Sequence, residues 1–351
     1  AYTSGTTGFP KGVMHSHGLL TYQLDTVRDV NGYEPDDTII NLTPLFPLHG
    51  FLLQPAMAVH VGCTLLMLER FSPAGLAALS RTNVITTGTF VPAIVVALLQ
   101  MPEEERPVFK KGTSYFVGGA PLHPEVRNRF ETGFGVTLLQ GYGSTEVMGA
   151  IAMERKERRA PWGSCGELWP GAEEKVRVLD DDGKDVAAGR IGEFAVHRSL
   201  ATMGYWENTG QTTEAFHDGT WFRMGDLGRI DENGFVFLLD RKKDMIIRGG
   251  FNIYSAELER ALNEHPAVAE ATILGIPHDT LGEVPKAYIV LRPGNEPGEE
   301  LAKELREHTV ARLGTLKVPE EIEFVALEDL PRNAMGKVLK RALRERAKHR
   351  A

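Results

Sequence analysis

The chain opens with Tyr2-Thr3-Ser4-Gly5-Thr6-Thr7-Gly8-Phe9-Pro10-Lys11-Gly12, a stretch dense in glycine and hydroxyl side chains. The glycines let the backbone approach a ligand closely, the hydroxyls offer short hydrogen-bond donors, and Lys11 adds positive charge. This combination suits an oligophosphate, so the stretch is predicted to cradle phosphate; the alternative is a flexible Gly/Thr linker. It differs from a P-loop of the form GxxxxGK[ST], because Gly12 rather than Ser or Thr follows the lysine.

Outward from this stretch, short apolar runs rich in β-branched residues alternate with helical patterns as far as about residue 150. The runs predicted as strands cover residues 38–43, 63–68, 84–87, 113–117 and 136–139. The patterns predicted as helices cover residues 19–30, 51–60, 74–81, 92–100 and 124–131. Strands and helices that alternate at this spacing predict a layered α/β domain with much parallel sheet.

The pattern changes twice further along the chain. From residue 167 to 240, Gly and Asp turns such as Asp181-Asp182-Gly183 separate short strands, which favours an antiparallel, barrel-like segment. After it, helical patterns alternate with strands at 268–276, 287–291 and 322–327. The helical patterns are an amphipathic helix that follows Ser255 and runs to His265, a helix at 299–313 and a basic helix from 338 to the end. We therefore predict a large domain over residues 1–240 and a small, mobile α+β domain over residues 241–351.

Composition excludes several protein classes. The 351 residues include 39 Lys and Arg against 47 Asp and Glu, a formal net charge of −8, and 42% are hydrophobic. These values are typical of a globular protein, and the acidic excess argues against a nucleic-acid binder, which needs a basic surface. The longest apolar stretch, residues 91–99, is much shorter than the roughly 18 residues that cross a bilayer.

Cysteine and histidine usage also limits the possibilities. Cys63 and Cys165 are too few for a disulfide framework and too far apart for a CxxC motif, so a reducing, cytoplasmic setting is expected. The histidines form no HxxxH or HExxH cluster, and we predict no protein-bound zinc. Because the glycine-rich loop follows Ala1 directly, we expect the natural N-terminus to lie further upstream.

Residues 2–12 resemble the phosphate-loop signature of the adenylate-forming (AMP-binding) superfamily, which includes the acyl-CoA synthetases. Four further stretches resemble motifs of this superfamily and follow in its order. They are Gln140-Gly141-Tyr142-Gly143-Ser144-Thr145-Glu146, Trp221-Phe222-Arg223-Met224-Gly225-Asp226, Asp240-Arg241-Lys242-Lys243-Asp244 with Gly249-Gly250, and Pro331-Arg332-Asn333-Ala334-Met335-Gly336-Lys337. The resemblance covers the whole chain, is greatest to a fatty acyl-CoA ligase, and implies that ATP, Mg²⁺ and CoA are bound.

The resemblance implies that residues in the first half of the chain contact the phosphates and the adenine of ATP. The residues that it assigns to the phosphates are Thr3, Ser4, Gly5, Thr6, Thr7, Gly8 and Lys11. Tyr142 would lie against adenine, since Gly141 and Gly143 leave room for a planar ring beside it. Thr145 would contact the α-phosphate, and Glu146 would help to hold Mg²⁺, a cation that prefers oxygen ligands.

The motifs of the second half carry the remaining nucleotide and CoA contacts. Asp226 follows Gly225, and an exposed Asp there is usually only a turn former; the resemblance makes Asp226 and Arg241 the ribose contacts. Lys243 takes the position of the hinge about which the last domain turns between two half-reactions. Gly249 and Gly250 would meet the pantetheine arm of CoA, where a side chain would block the thiol.

Lys337 occupies the place of the superfamily's catalytic lysine of adenylation, and its long, flexible stem suits that role. The basic residues that follow it, from Lys340 onward, are interpreted mostly as a solvated helix face. His49 and Gly118 are predicted to line an acyl pocket. Gly119 and Ala120 are predicted to line the adenine pocket.

The function predicted from these observations is ATP-dependent ligation of a carboxylic acid to CoA. The segments expected to face the acid, residues 44–53, 115–120 and 140–143, contain no charged side chain. An apolar wall favours a hydrophobic acid, most simply a medium- or long-chain fatty acid, with an aromatic or alicyclic acid as the alternative.

Three competing hypotheses are a peptide-synthetase adenylation domain, a luciferase-like oxygenase and a non-catalytic nucleotide-binding fragment. An amino-acid activator would need an Asp near residues 44–51 to hold the substrate's ammonium, and none is present there. A nucleotide-binding fragment without catalysis would differ from a ligase in showing no acid-dependent exchange of pyrophosphate into ATP.

Overall fold

A computed structural model describes residues 1–4, 10–119, 122, 124–332 and 338–348. The chain divides into two compact units. The first comprises Ala1–Met224 and Gly228–Leu238, and the second comprises Gly225–Leu227 and Leu239–Ala351. Both combine helices with sheets, so the predicted mixed α/β class is confirmed.

The strands are numbered in chain order. Those within the first unit are β1 (Tyr2–Ser4), β2 (Pro10–Met14), β3 (Thr38–Asn41), β4 (Thr64–Met67), β5 (Thr87–Phe90), β6 (Ser114–Val117), β7 (Thr137–Ser144), β8 (Gly149–Met153), β9 (Glu167–Leu168), β10 (Val176–Leu179), β11 (Gly192–His197), β12 (Gly204–Tyr205) and β13 (Phe216–His217). Two strands, β14 (Trp221–Ile230) and β15 (Val236–Arg241), contain residues of both units. Those of the second unit are β16 (Ile246–Arg248), β17 (Phe251–Ile253), β18 (Val268–His278), β19 (Gly282–Leu291) and β20 (Glu321–Phe324).

The α-helices follow the same order. Those of the first unit are α1 (His17–Asn31), α2 (Leu48–Phe51), α3 (Met57–Val61), α4 (Pro73–Thr82), α5 (Pro92–Leu99), α6 (Pro124–Phe134) and α7 (Thr209–Ala215). Those of the second unit are α8 (Ser255–Asn263), α9 (Glu299–Leu313) and α10 (Lys340–Lys348). In α1 the Ser16 hydroxyl accepts the Leu19 N–H, and Gly32 ends the helix in the left-handed conformation, as cap preferences predict.

The main sheet of the first unit has the order β4-β3-β5-β6-β7-β8-β9. Strands β4, β3, β5, β6 and β7 are parallel, whereas β8 and β9 join antiparallel. Neighbouring residues on a strand point to opposite faces, and Ile39 and Ile40 accordingly belong to two different hydrophobic clusters. The sheet is therefore buried on both faces, as parallel sheets usually are.

Two differences from the predicted elements have a clear physical cause. The strand predicted at residues 84–87 is β5, which begins only at Thr87, because Thr86 instead bonds across to Thr38 and sets the register of the parallel pair. The helix predicted at residues 51–60 is interrupted by a π-helical turn, Leu52–Ala56. Pro55 lies inside that turn, and since proline lacks an N–H it disrupts the ordinary helical ladder.

The remaining sheets match the two later changes of pattern. Strands β10, β11, β14 and β13, with β15 paired to β14, form a five-stranded sheet. Its β10–β11 and β13–β14 pairs are antiparallel, as predicted, and the described strands form no closed barrel. The second unit has the sheet order β17-β16-β19-β18, with β20 parallel to β19. Its core packs Leu258 and Leu262 of α8 and Leu305 of α9 against the sheet.

Candidate active site

The strands β1 and β2 bring the two ends of the glycine-rich loop together. They pair antiparallel, with Thr3 opposite Lys11 and Ser4 opposite Pro10. Residues 5–9, which include the predicted phosphate contacts Gly5, Thr6, Thr7 and Gly8, lie outside the described residues. The described part therefore establishes that the two flanks of the loop pair with each other and that Lys11 lies opposite Thr3.

Strand β12 continues this small sheet and contributes a residue that the sequence analysis missed. Tyr205 pairs with Val13 of β2, and its ring lies under the Lys11 ammonium, 4.6 Å from Nζ to the ring centre. Its phenol donates a hydrogen bond to Oε1 of Glu146 at 3.2 Å. Tyr205 thus connects the predicted phosphate lysine to the predicted metal ligand.

A short turn between β7 and β8 presents Thr145 and Glu146. The turn is a 3₁₀ helix, Thr145–Val147, and ends at Met148 in the left-handed conformation, with φ of 59°. The Glu146 carbonyl accepts the N–H of Thr202 at 2.6 Å, and the Thr202 hydroxyl donates to the Met14 carbonyl at 2.7 Å. Both bonds fix the turn relative to the end of β2, so Lys11 and Glu146 are held near each other.

Two titratable groups surround this turn. Burial, followed by the charge of Glu146, raises the pKa of Tyr205 well above its usual value, so the phenol remains a hydrogen-bond donor at neutral pH. Burial lowers the pKa of His15 against the opposing influence of Thr145 and Glu146. Both ring nitrogens of His15 are buried without a hydrogen-bond partner among the described residues, which marks His15 as a second residue missed by sequence reasoning.

The glycines of the motif at residues 141–143 have close neighbours within the protein. A Cβ at Gly143 would lie 1.8 Å from the Gly149 carbonyl oxygen, and one at Gly141 would lie 2.7 Å from the Phe116 ring. The same ring would lie 2.6 Å from a Cβ at Gly118. Close internal packing is therefore sufficient by itself to require glycine at these three positions.

Tyr142 is buried in the first unit. Its hydroxyl contacts the Met224 sulfur at 3.4 Å, and its ring packs at a tilt against Phe194, with centroids 5.4 Å apart. Only 5% of the residue is exposed, so at most a small part of the ring is available to a ligand. The predicted adenine contact is consequently a firmly packed residue.

The remaining residues predicted for the first unit lie around β6 and α2. Gly119 follows β6 with φ of 84°, whereas Ala120 lies outside the described residues. His49 is within α2, and its side chain is not described. Of the segment 44–53, Leu52 and Leu53 are buried, whereas 65% of Phe46 and 44% of Phe51 are exposed. This segment therefore has both core and exposed apolar side chains.

In the second unit the two predicted ribose contacts are neighbours. Nε of Arg241 lies 2.9 Å from Oδ1 of Asp226, and the Asp226 side chain is only 4% exposed. Asp226 lies within strand β14 after Gly225, whose φ is 70°, and not in an exposed turn. The interpretation of Asp226 as a simple turn former is therefore wrong, because such a residue would be solvated.

The predicted hinge residue lies in a 3₁₀ turn, Lys242–Asp244. Burial, assisted by Arg241 and Arg344, lowers the pKa of Lys243. Further on, Gly249 and Gly250 form the turn between β16 and β17 with φ of 57° and 85°, a conformation that favours glycine. No described atom lies within 4 Å of a Cβ at Gly250, so there the backbone conformation, and not crowding, requires glycine.

Lys337 lies outside the described residues, which stop at Arg332 and resume at Val338. Arg332 and Val338 form an antiparallel bridge, so the two ends of this gap are adjacent. Among the described residues no group of three or more His, Cys, Asp or Glu side chains is arranged to hold a metal. In the same part of the chain, no helix combines the length and apolarity needed to span a membrane.

Comparison with known proteins identifies relatives along the whole chain. The model of the AMP-binding enzyme family matches residues 1–206, and that of the AMP-binding enzyme C-terminal domain matches residues 257–337. A long-chain-fatty-acid–CoA ligase of Bacillus subtilis is 33% identical over 98% of this chain and 60% of its own length. An indoleacetate–CoA ligase of Aromatoleum aromaticum is 34% identical over 98% of this chain and 66% of its own. The chain thus spans about three fifths to two thirds of these relatives.

Solved structures agree with these matches. ATP-bound MatB from Rhodopseudomonas palustris has a TM-score of 0.87 at 33% identity, over 99% of this chain and 67% of that one. The o-succinylbenzoate CoA synthetase of Bacillus subtilis, in complex with its acyl-adenylate intermediate, has a TM-score of 0.84 at 30% identity, over 97% of this chain and 68% of that one. The resemblance suggested by the five motifs is confirmed.

Proposed function

Since the chain belongs to the AMP-binding enzyme family, we propose that the protein ligates a carboxylic acid to CoA with ATP as the energy source. In the first half-reaction the carboxylate attacks the α-phosphate of ATP and pyrophosphate leaves. In the second, the CoA thiolate attacks the acyl carbonyl and AMP leaves. The observation that carries the proposal is the grouping of Lys11, Tyr205 and Glu146 beside the glycine-rich loop.

The first half-reaction has an electrostatic barrier, because two anions must meet while charge builds up on phosphate. Lys11 supplies a cation in the strand that follows the glycine-rich loop, and Lys337 is proposed to supply another during adenylation alone. No protein nucleophile is required, since positioning and charge stabilisation are the main contributions to such a transfer.

Mg²⁺ fits the residues that are present. The described part of the chain has no three-carboxylate cage, and Mg²⁺ typically binds through one or two carboxylates together with substrate phosphates. Glu146, oriented by the Tyr205 hydroxyl, would supply the carboxylate. The ion would neutralise phosphate charge and thereby assist departure of pyrophosphate.

For the acid we propose a hydrophobic carboxylate, in the first place a medium- or long-chain fatty acid. Support comes from the uncharged segments 44–53, 115–120 and 140–143, and from relatives named as long-chain-fatty-acid–CoA ligases. The alternative is an aromatic acid, which the feruloyl-CoA synthase of Amycolatopsis sp. (33% identical, 69% of its length covered) and the indoleacetate ligase support.

The test is acid-dependent exchange of pyrophosphate into ATP, followed by CoA-dependent release of AMP, on the complete translated protein. The panel contains straight-chain acids of increasing length, a cinnamate, benzoate, acetate and an amino acid. Each buried methylene contributes about 0.8 kcal/mol, so kcat/KM should rise about fourfold per methylene until the pocket is filled. A maximum at a cinnamate would replace the fatty acid by the aromatic alternative, and no exchange with any acid would indicate a nucleotide-binding protein without ligase activity.

A further inference from the structure

Two basic residues of α10, the last helix of the second unit, form ion pairs with residues of that unit. They are Lys340 and Arg344. Nζ of Lys340 lies 2.8 Å from a carboxylate oxygen of Glu259 and donates to the Ser255 hydroxyl at 2.8 Å. The Lys340 and Glu259 side chains are only 18% and 23% exposed. Lys340 therefore binds the first two turns of α8, and the expectation of a solvated basic face is wrong for this residue.

Arg344 follows Lys340 by one helical turn and points the same way. Its guanidinium donates to Oδ1 of Asp244 at 2.7 Å and to the backbone carbonyl of Lys243 at 3.2 Å. The Asp244 side chain is 12% exposed and that of Arg344 is 29% exposed, so this ion pair is partly buried. Arg344 thus binds the main chain of Lys243, the predicted hinge residue, and the side chain of Asp244.

A third contact joins the start of the hinge segment to the same network. The Asp240 carboxylate accepts the Ser255 hydroxyl at 3.2 Å and the Ala256 N–H at 3.3 Å. Because the Ser255 hydroxyl also accepts from Lys340, a continuous chain of hydrogen bonds runs from α10 to Asp240. Both ends of the segment Asp240–Asp244 are consequently held, directly or through Ser255, by α10.

The charges around Asp244 and Glu259 shift the pKa values of these two carboxyl groups. Burial would raise the pKa of Asp244, but Lys340, Arg344 and Lys243 together outweigh it, and the pKa is lowered. Burial raises the pKa of Glu259 in spite of the attraction of Lys340. The Asp244 carboxylate is therefore firmly ionised and well placed to hold Arg344.

Lys337 precedes Lys340 by only three residues in the chain. We propose that Lys340 and Arg344 are positioning residues that attach helix α10, which begins three residues after Lys337 in the chain, to the hinge segment Asp240–Asp244, and that this attachment is needed for adenylation. The inference rests on the proposed function and deepens it. Without these contacts α10 would be less firmly fixed to the hinge segment, and adenylation would slow.

The experiment compares both half-reactions in Arg344→Met, Arg344→Lys and the unsubstituted protein. In Arg344→Met, kcat for acid-dependent pyrophosphate exchange should fall at least tenfold while KM for ATP changes less than twofold. Thioester formation from supplied acyl adenylate should stay within twofold, because Lys337 is not needed there. Arg344→Lys should recover part of the exchange rate, since lysine keeps the positive charge that pairs with Asp244 but has a shorter side chain and a differently shaped donor group.

Matched variants exclude a general loss of structure. Arg341→Met removes a cation from the same helix, where it forms an exposed pair with Glu345, and should leave both half-reactions within twofold. Asp244→Asn should slow exchange, and its combination with Arg344→Met should be no slower than the worse single variant, which is the signature of coupled residues. Lys340→Met and Lys340→Arg repeat the test at the second contact should an Arg344 variant fail to fold.

Three results would overturn the inference. If the rates of both half-reactions fell equally, and in proportion to a lowered Tm, Lys340 and Arg344 would have only a structural role. If the rate of pyrophosphate exchange were unchanged in both Arg344→Met and Lys340→Met, neither residue would act in adenylation. If the losses in the Asp244→Asn/Arg344→Met double variant were additive, Arg344 would not act through Asp244. An unsubstituted protein without acid-dependent exchange would instead overturn the proposed function on which the inference rests.

Discussion

The phenol of Tyr205 donates a hydrogen bond to Glu146 at 3.2 Å while the face of its ring lies 4.6 Å from the Lys11 ammonium. One side chain therefore touches both the cation proposed to bind phosphate and the carboxylate proposed to bind Mg²⁺. The cation–π contact orients Lys11, and the hydrogen bond orients Glu146. Substitution of Tyr205 therefore tests whether the orientation of Lys11 and Glu146 matters for the reaction.

Tyr205→Phe should weaken the use of Mg²⁺ and ATP while leaving the ring beneath Lys11. A hydrogen bond to a charged group contributes about 1.5–3 kcal/mol, so kcat/KM for pyrophosphate exchange should fall about tenfold or more. The measurement is the exchange rate against Mg²⁺ concentration. Tyr22→Phe, which removes a tyrosine hydroxyl whose long, exposed bond is to the Pro170 carbonyl, is the control; equal rates in all three proteins would refute the role of Tyr205.

Lys337→Ala should abolish adenylation and spare thioester formation from supplied acyl adenylate. Loss of one charge contact to the developing phosphoryl charge should slow exchange about a hundredfold or more. Rapid-quench assays of the two half-reactions measure the difference. Lys303→Ala, at an exposed position of α9, should change neither rate; comparable damage to both half-reactions in Lys337→Ala would contradict the assignment.

Gly250→Leu should reduce CoA ligation more than pyrophosphate exchange, because a side chain there would meet the pantetheine arm. The substitution also forces a left-handed conformation on leucine, which costs about 1–2 kcal/mol. Gly294→Leu is a matched control, since Gly294 has φ of 88°, no described atom within 4 Å of its Cβ, and lies in a different turn. Equal effects of the two substitutions on CoA ligation would trace the loss to strain rather than to blocked CoA.

Arg127→Met should destabilise the first unit strongly. The Glu154 side chain, 1% exposed, accepts hydrogen bonds from Arg127 and from the N–H of Gln140, at the start of the motif that contains Tyr142. Removing one partner of a buried pair costs about 3–5 kcal/mol, which a denaturant titration would measure. Arg129→Met, exposed on the same helix, should have little effect, and a similar loss in both variants would exclude a special role for the pair.

His308 should titrate below its ordinary pKa of about 6.5. Burial lowers the pKa of His308, and its two nitrogens are occupied by the Ala261 carbonyl at 2.9 Å and the Arg312 guanidinium at 3.1 Å, which requires the neutral ring. The folded state then binds fewer protons than the unfolded one, so the stabilising contribution is complete above about pH 6.5 and is lost as the pH falls toward the folded-state pKa. NMR titration of the imidazole protons checks the shift; Arg312→Met should raise the pKa, and a normal value in the unsubstituted protein would contradict the geometry.

Much of the fold is determined by local pattern. Helix α9 has the bounds that the sequence predicts, and α4 and α5 agree to within a residue at either end, because α4 and α5 each begin with a proline and α9 begins with two glutamates, which are typical helix-start signals. Strand β5 is misplaced in the prediction because its first residue is chosen by pairing with β3, which is distant in the sequence. Register is a property of two strands and cannot be obtained from one.

The candidate site, like the fold, was predictable from the sequence only in part. The sequence by itself indicated a phosphate site, since glycines, hydroxyls and Lys11 combined in one short loop are typical of one, and its five motifs in order indicated the family by resemblance. Only the tertiary structure decided that Tyr205 joins Lys11 to Glu146, that Phe116 lies against both Gly118 and Gly141, and that Lys340 and Arg344 point inward. A tyrosine, a phenylalanine and a basic helix are common in any chain. Tyr205, Lys340 and Arg344 take their roles from partners far away in the sequence, which only the folded chain brings into contact.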